Sequence, residues 1–98
     1  MNGDGALDLA AGNFGQPTKV YLNQGGMLQA TPAWSASASD STISVAWGDM
    51  NGDGALDLAV GNANAPTKVY LNQGGSLQTT PAWSALSNDV TLSVAWEI

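Results

Sequence analysis

Asp49, Asn51, Asp53 and Asp57 stand at alternate positions of GDMNGDGALDLAVGN, residues 48–62. Their side-chain oxygens fall at offsets one, three, five and nine, and the Ala55 carbonyl can serve at seven. A hard cation such as calcium takes that pattern of oxygen ligands from a tight loop. Gly52 and Gly54 permit the sharp backbone turn that would bring the groups to one centre. The plainer reading is an Asp–Gly turn with solvated carboxylates. Against it, three aspartates within nine residues repel one another unless a cation sits among them. An EF-hand would continue to a glutamate at position twelve between two helices, and Val60 stands there instead. A partial copy opens the chain: Asn2, Asp4, the Ala6 carbonyl and Asp8 match, but the first ligand position would precede Met1.

No other chemistry competes with this loop. The chain of 98 residues has no cysteine and no histidine, so it lacks a thiolate, an imidazole base and a disulfide framework. Serine and threonine are plentiful but nothing here would activate them, and the expectation is that the protein is not an enzyme. Two lysines against eight acidic residues exclude the row of cations that a nucleic-acid or anionic membrane partner needs. No apolar run approaches the ~20 residues of a membrane span, so membrane insertion is not expected.

The loop sits in a repeat. Shifted by 49 residues, the sequence matches itself at 36 of 49 positions, giving units 1–49 and 50–98. Short runs such as TKVYLN (residues 18–23) and TISVAW (42–47) alternate with period two and are rich in β-branched and aromatic residues. Prolines and NQGG segments punctuate them. Strands are expected near 5–11, 18–23, 27–34 and 42–47, and again 49 residues later. Tandem four-stranded units of this period predict an all-β propeller rather than a sandwich. In TISVAW the alternation puts Ile43, Val45 and Trp47 on one face, which suits core packing for Trp47 and, by repetition, Trp96. Lys19 and Lys68 are expected to be solvated on third strands.

The aspartate–asparagine–glycine–aspartate–glycine pattern followed by Leu-Asp-Leu resembles the FG-GAP, or VCBS, repeat of integrin α-subunit propellers and of many secreted proteins. The resemblance covers essentially the whole chain twice. It implies Ca2+ as the cofactor, an extracellular or secreted setting, and a loop joining the innermost strand of a blade to its second strand. On that pattern 42–47 and 91–96 are innermost strands, while 55–61, 67–72 and 77–83 are the second, third and outer strands of one blade. Unit 1–49 then carries the last three strands of one blade plus the innermost strand of the next. Unit 50–98 ends on an innermost strand to be donated to a neighbouring chain. Two blades cannot close a ring, so the expectation is a homotrimer or homotetramer of six or eight blades joined by strand exchange, with the partial metal site at the chain junction.

The two copies differ most at Phe14-Gly15-Gln16 against Ala63-Asn64-Ala65, and at 37–41 against 86–90. These loops lie at the end of the blade opposite the acidic loop. Neutral drift explains the differences, and so does a ligand site in which loops vary over a rigid frame. Asn13, Phe14, Asn62 and Asn64, with Trp34 and Trp83 as stacking rings, are the candidate ligand contacts. Short chains that assemble into propellers resemble certain lectins, which implies glycan binding. The alternative is a purely structural propeller fragment, or an engineered self-assembling repeat, with no ligand of its own.

Overall fold

The computed structural model describes residues 8–37, 39–63, 65–86, 91 and 93–95. Eleven strands are present and no helix occurs among the described residues. The long antiparallel pair is β6 (Ser41–Gly48) with β7 (Asp57–Ala63), joined across the acidic loop and running from Gly48↔Asp57 to Ser41↔Ala63. Next to β7 lies β8 (Lys68–Tyr70), and next to that β11 (Trp83–Ser84), so the sheet order is β6-β7-β8-β11. The first half of the chain builds the matching three-stranded sheet from β1 (Leu9–Ala11), β2 (Lys19–Tyr21) and β5 (Trp34–Ser35). Its pairs Ala10↔Val20 and Val20↔Trp34 recur as Ala59↔Val69 and Val69↔Trp83.

Two tight hairpins extend these sheets: β3 (Asn23–Gln24) with β4 (Met27–Leu28), and β9 (Asn72–Gln73) with β10 (Ser76–Leu77). Their turns are Gly25-Gly26 and Gly74-Gly75, all at positive φ. Two consecutive positive φ angles match the right-handed strand twist, and glycine adopts them without a Cβ clash.

The stretch 77–83, expected as one outer strand, divides into β10 and β11. Gln78 N–H donates to the Leu71 carbonyl at 2.8 Å and Ala82 N–H to that of Val69 at 2.9 Å. Four residues on the outer segment thus span two on its neighbour. Pro81 lies inside the excess, where its missing N–H deprives the ladder of nothing. A second departure lies in β6, whose register shifts between Thr42 and Ser44. The bulge takes Ile43 out of phase with Val45 and Trp47 and leaves it exposed, correcting the strict alternation expected there. Described residues of 91–96 form no strand with this chain.

The core lies between the two sheets. Val20, Trp34 and Ala36 of the first pack with Leu58, Val60, Tyr70 and Leu77 of the second, and Ala10, Val45 and Trp47 lean against them. The Trp34 and Tyr70 rings meet edge to face at 5.1 Å and 71°. That geometry adds about 1 kcal/mol to the area they bury. Trp96 lies outside the described residues.

Candidate functional site

The 49–56 loop is wound around the Asp49 carboxylate. Its Oδ1 accepts from the N–H groups of Gly52 (2.9 Å) and Asp53 (3.2 Å), and its Oδ2 from that of Gly54 (2.8 Å). Asn51 Oδ1 accepts from Asp53 N–H, and Asp53 Oδ1 from Ala55 N–H at 3.0 Å. Gly52 and Gly54 sit at φ 75° and 87°, the left-handed region that alternates the direction of successive amides. The Gly54 N–H, joined by those of Gly52 and Asp53 against a smaller desolvation effect, holds the Asp49 carboxyl below its usual range. It is therefore ionised at neutral pH.

Asp57 is placed differently. It is fully buried at the foot of the loop, with Oδ2 accepting from Met50 N–H (2.9 Å) and Oδ1 from Asn72 N–H (2.8 Å). It ties the loop to β9, the hairpin strand that follows β8. In the first unit Asp8 Oδ1 accepts from Asn23 N–H at 2.9 Å, the same bond 49 residues earlier. Asn2, Asp4 and Ala6, the rest of the partial site, lie outside the described residues.

Among the described residues, no three carboxylates converge on a point as a metal cluster would require. The donor chemistry nevertheless fits a hard cation. Every available group is an oxygen, Asp49 is charged, and an ionised carboxylate has about four acceptor positions, so even the three N–H bonds to Asp49 leave one over. The residues that would hold calcium are Asp49, Asn51, Asp53, the Ala55 carbonyl and Asp57.

At the opposite end of the sheet, Asn13 and Asn62 act as staples. Each Nδ2 donates at 2.9 Å to a proline carbonyl across its strand-to-strand loop, Asn13 to Pro17 and Asn62 to Pro66. Asn62 is fully buried and its Oδ1 accepts from Thr42 Oγ1 at 2.7 Å. Trp34 is 5% exposed and belongs to the core, whereas Trp83 is 49% and Phe14 72% exposed. Asn64 lies outside the described residues. Of the candidate ligand contacts, the described side chains open to solvent are therefore Phe14 and Trp83.

Lys68, expected to be solvated, is ion-paired: its Nζ donates to Asp40 Oδ2 at 2.6 Å, and both side chains are largely covered. Asn62 Nδ2 also reaches Asp40 at 3.5 Å. Burial first, and the Asp40 charge second, push the Tyr70 hydroxyl above its usual pKa. Sequence reasoning passed over Asp40. One signal marks it: within 37–41 it alone is repeated 49 residues later, as Asp89.

A family model described as an FG-GAP-like repeat matches residues 1–60, spanning the first sheet, β6 and the acidic loop. The chain belongs to the FG-GAP-like repeat family. The match takes in the acidic loop between β6 and the Leu-Asp-Leu strand, while β8 and β11, which complete the four-stranded sheet, lie beyond it. No curated protein and no solved structure matches the chain.

Proposed function

We propose that this chain is a calcium-binding β-propeller module of the FG-GAP-like type, acting as a non-enzymatic binding scaffold in an extracellular setting. The observation that carries the reading is the Asp49-centred loop. It is an all-oxygen donor set on glycine-shaped backbone, at the one end of the four-stranded sheet where β6 hands over to β7. Calcium would be held by Asp49, Asn51, Asp53, the Ala55 carbonyl and Asp57. It would neutralise mutually repelling carboxylates and stiffen the connection between two strands.

Binding by a folded loop alone stabilises the fold by mass action. Titration calorimetry should give a dissociation constant of about 10⁻⁴ to 10⁻³ M, as in other extracellular modules. Saturating calcium should raise the melting temperature and a chelator should reverse the rise. A melting curve indifferent to both overturns the metal reading.

The ligand class proposed is glycan, taken at the loop end opposite calcium, where Phe14 is exposed and the two copies differ. A glycan array probed with the wild-type chain and with Phe14→Ala tests it. Specific signals lost in the variant support it, and a silent array removes it. The burial of Asn62 and Trp34 favours the second reading, a structural propeller unit with no ligand of its own.

A further inference from the structure

Thr91 meets the four-stranded sheet as Thr42 meets the three-stranded one. Thr42 N–H donates to the Asn13 carbonyl and Thr91 N–H to the Asn62 carbonyl, both at 3.0 Å. The Thr42 and Thr18 hydroxyls lie 3.0 Å apart, and those of Thr91 and Thr67 3.1 Å. Gly12 faces Thr42 and Val45, and Gly61 faces Thr91 and Val94, so closely that a Cβ at either glycine would collide. Thr91 and Val94 therefore meet their sheet at the positions where Thr42 and Val45 of β6 meet the first. From there β6 goes on to pair with β7, whose LDLAVG (56–61) recurs as LDLAAG (7–12) through β1. Among the described residues β1 pairs with β2 on one side and is the open edge on the other.

The faces of the two sheets tell the same story independently. Leu58 and Leu77 are buried at 0% and 3%, but Leu9 and Leu28, 49 residues earlier, are each 47% exposed. Trp34 is buried on Tyr70, but Trp83 is open. One sheet thus lacks cover on its leading face and the other on its trailing face. The interface between the two sheets shows what would cover both.

We propose that the occupant is a second copy of this chain, joined head to tail. Its segment 93–95 lies antiparallel along β1 in the register Ser93↔Gly12, Val94↔Ala11 and Ala95↔Ala10, and Trp83 packs on Tyr21 of the second copy as Trp34 packs on Tyr70. The register is that of Ser44↔Gly61, Val45↔Val60 and Ala46↔Ala59 carried forward by one repeat. Such pairing satisfies an open edge that would otherwise invite aggregation. A head-to-tail interface closes when its rotation allows, and at two blades per copy rings of six or eight blades give three or four copies. The inference rests on the propeller reading, and it needs neither calcium nor glycan.

The test uses these 98 residues by light scattering, with calcium and with a chelator, beside an Ala11→Cys/Val94→Cys variant. No native cysteine interferes. Oxidation should give a non-reducing ladder ending at three or four chains. The misregistered pair Ala11→Cys/Thr91→Cys should not cross-link, because its Cα atoms would lie beyond disulfide reach. Trp83→Ser, altering a side chain half open in the single chain, should weaken assembly at least tenfold. A single-chain mass at every concentration overturns the proposal, as does equal cross-linking in both cysteine pairs. Should that single chain still melt higher with calcium, the assembly fails and the metal reading stands. A ring indifferent to calcium supports the assembly and removes the metal.

Discussion

Two aspartates of one loop do different work. Asp49 is exposed and gathers three amides, so its role is to fold the loop and keep a negative charge at its centre. Asp49→Ala should abolish any calcium-dependent rise in melting temperature, read by calorimetry with and without chelator. The pH dependence follows from its lowered pKa. The ionised form is favoured in the fold, so its support is complete above the unfolded value near 4 and is lost as pH falls through the still lower folded value. Melting temperatures of wild type and Asp49→Asn should therefore differ by a constant amount from pH 7 to about 5 and converge below about 4. Asp57 is buried and joins two amides, of which that of Asn72 is buried with it and has no water to turn to. Asp57→Ala should cost about 2–4 kcal/mol in denaturant unfolding in the presence of a chelator, and more with calcium, whose stabilisation is lost with the ligand.

At the scale of elements, alternation is a good guide until a bulge interrupts it. TISVAW reads as one apolar face, yet the register shift after Thr42 leaves Ile43 outside while Val45 and Trp47 lean on the core. Ile43→Thr should change stability by less than about 0.5 kcal/mol, whereas Val45→Ala should cost about 1–2 kcal/mol. The loop backbone carries its own test. Gly54 sits at φ 87° with open space around the missing Cβ, so Gly54→Ala suffers strain without a clash. The expected loss is about 1–2 kcal/mol in denaturant unfolding.

For the whole molecule, identical words acquire different meanings. TPAWSA occurs twice, and its tryptophan is core in one copy and half open in the other. Trp34→Ala should cost about 3–5 kcal/mol in any state of assembly, since it empties the space against Tyr70. Trp83→Ala at concentrations low enough to hold a single chain should cost far less. Equal losses at the two positions under those conditions would contradict the burial seen here.

Much of this protein is set by its sequence alone. The 49-residue period, the short alternating runs and the acidic loop follow from local chemistry: side-chain phase, turn-forming glycines, and carboxylates spaced for one centre. Local chemistry could not reveal the bulge at Ile43, the division of 77–83 around Pro81, or the Lys68–Asp40 pair. Each depends on what lies across a ladder or on the neighbouring sheet. Nor could it say which copy of a repeated residue is buried. Burial belongs to a position between sheets, so Leu58 and Trp34 are covered while Leu9 and Trp83, with the same neighbours in sequence, are left in solvent.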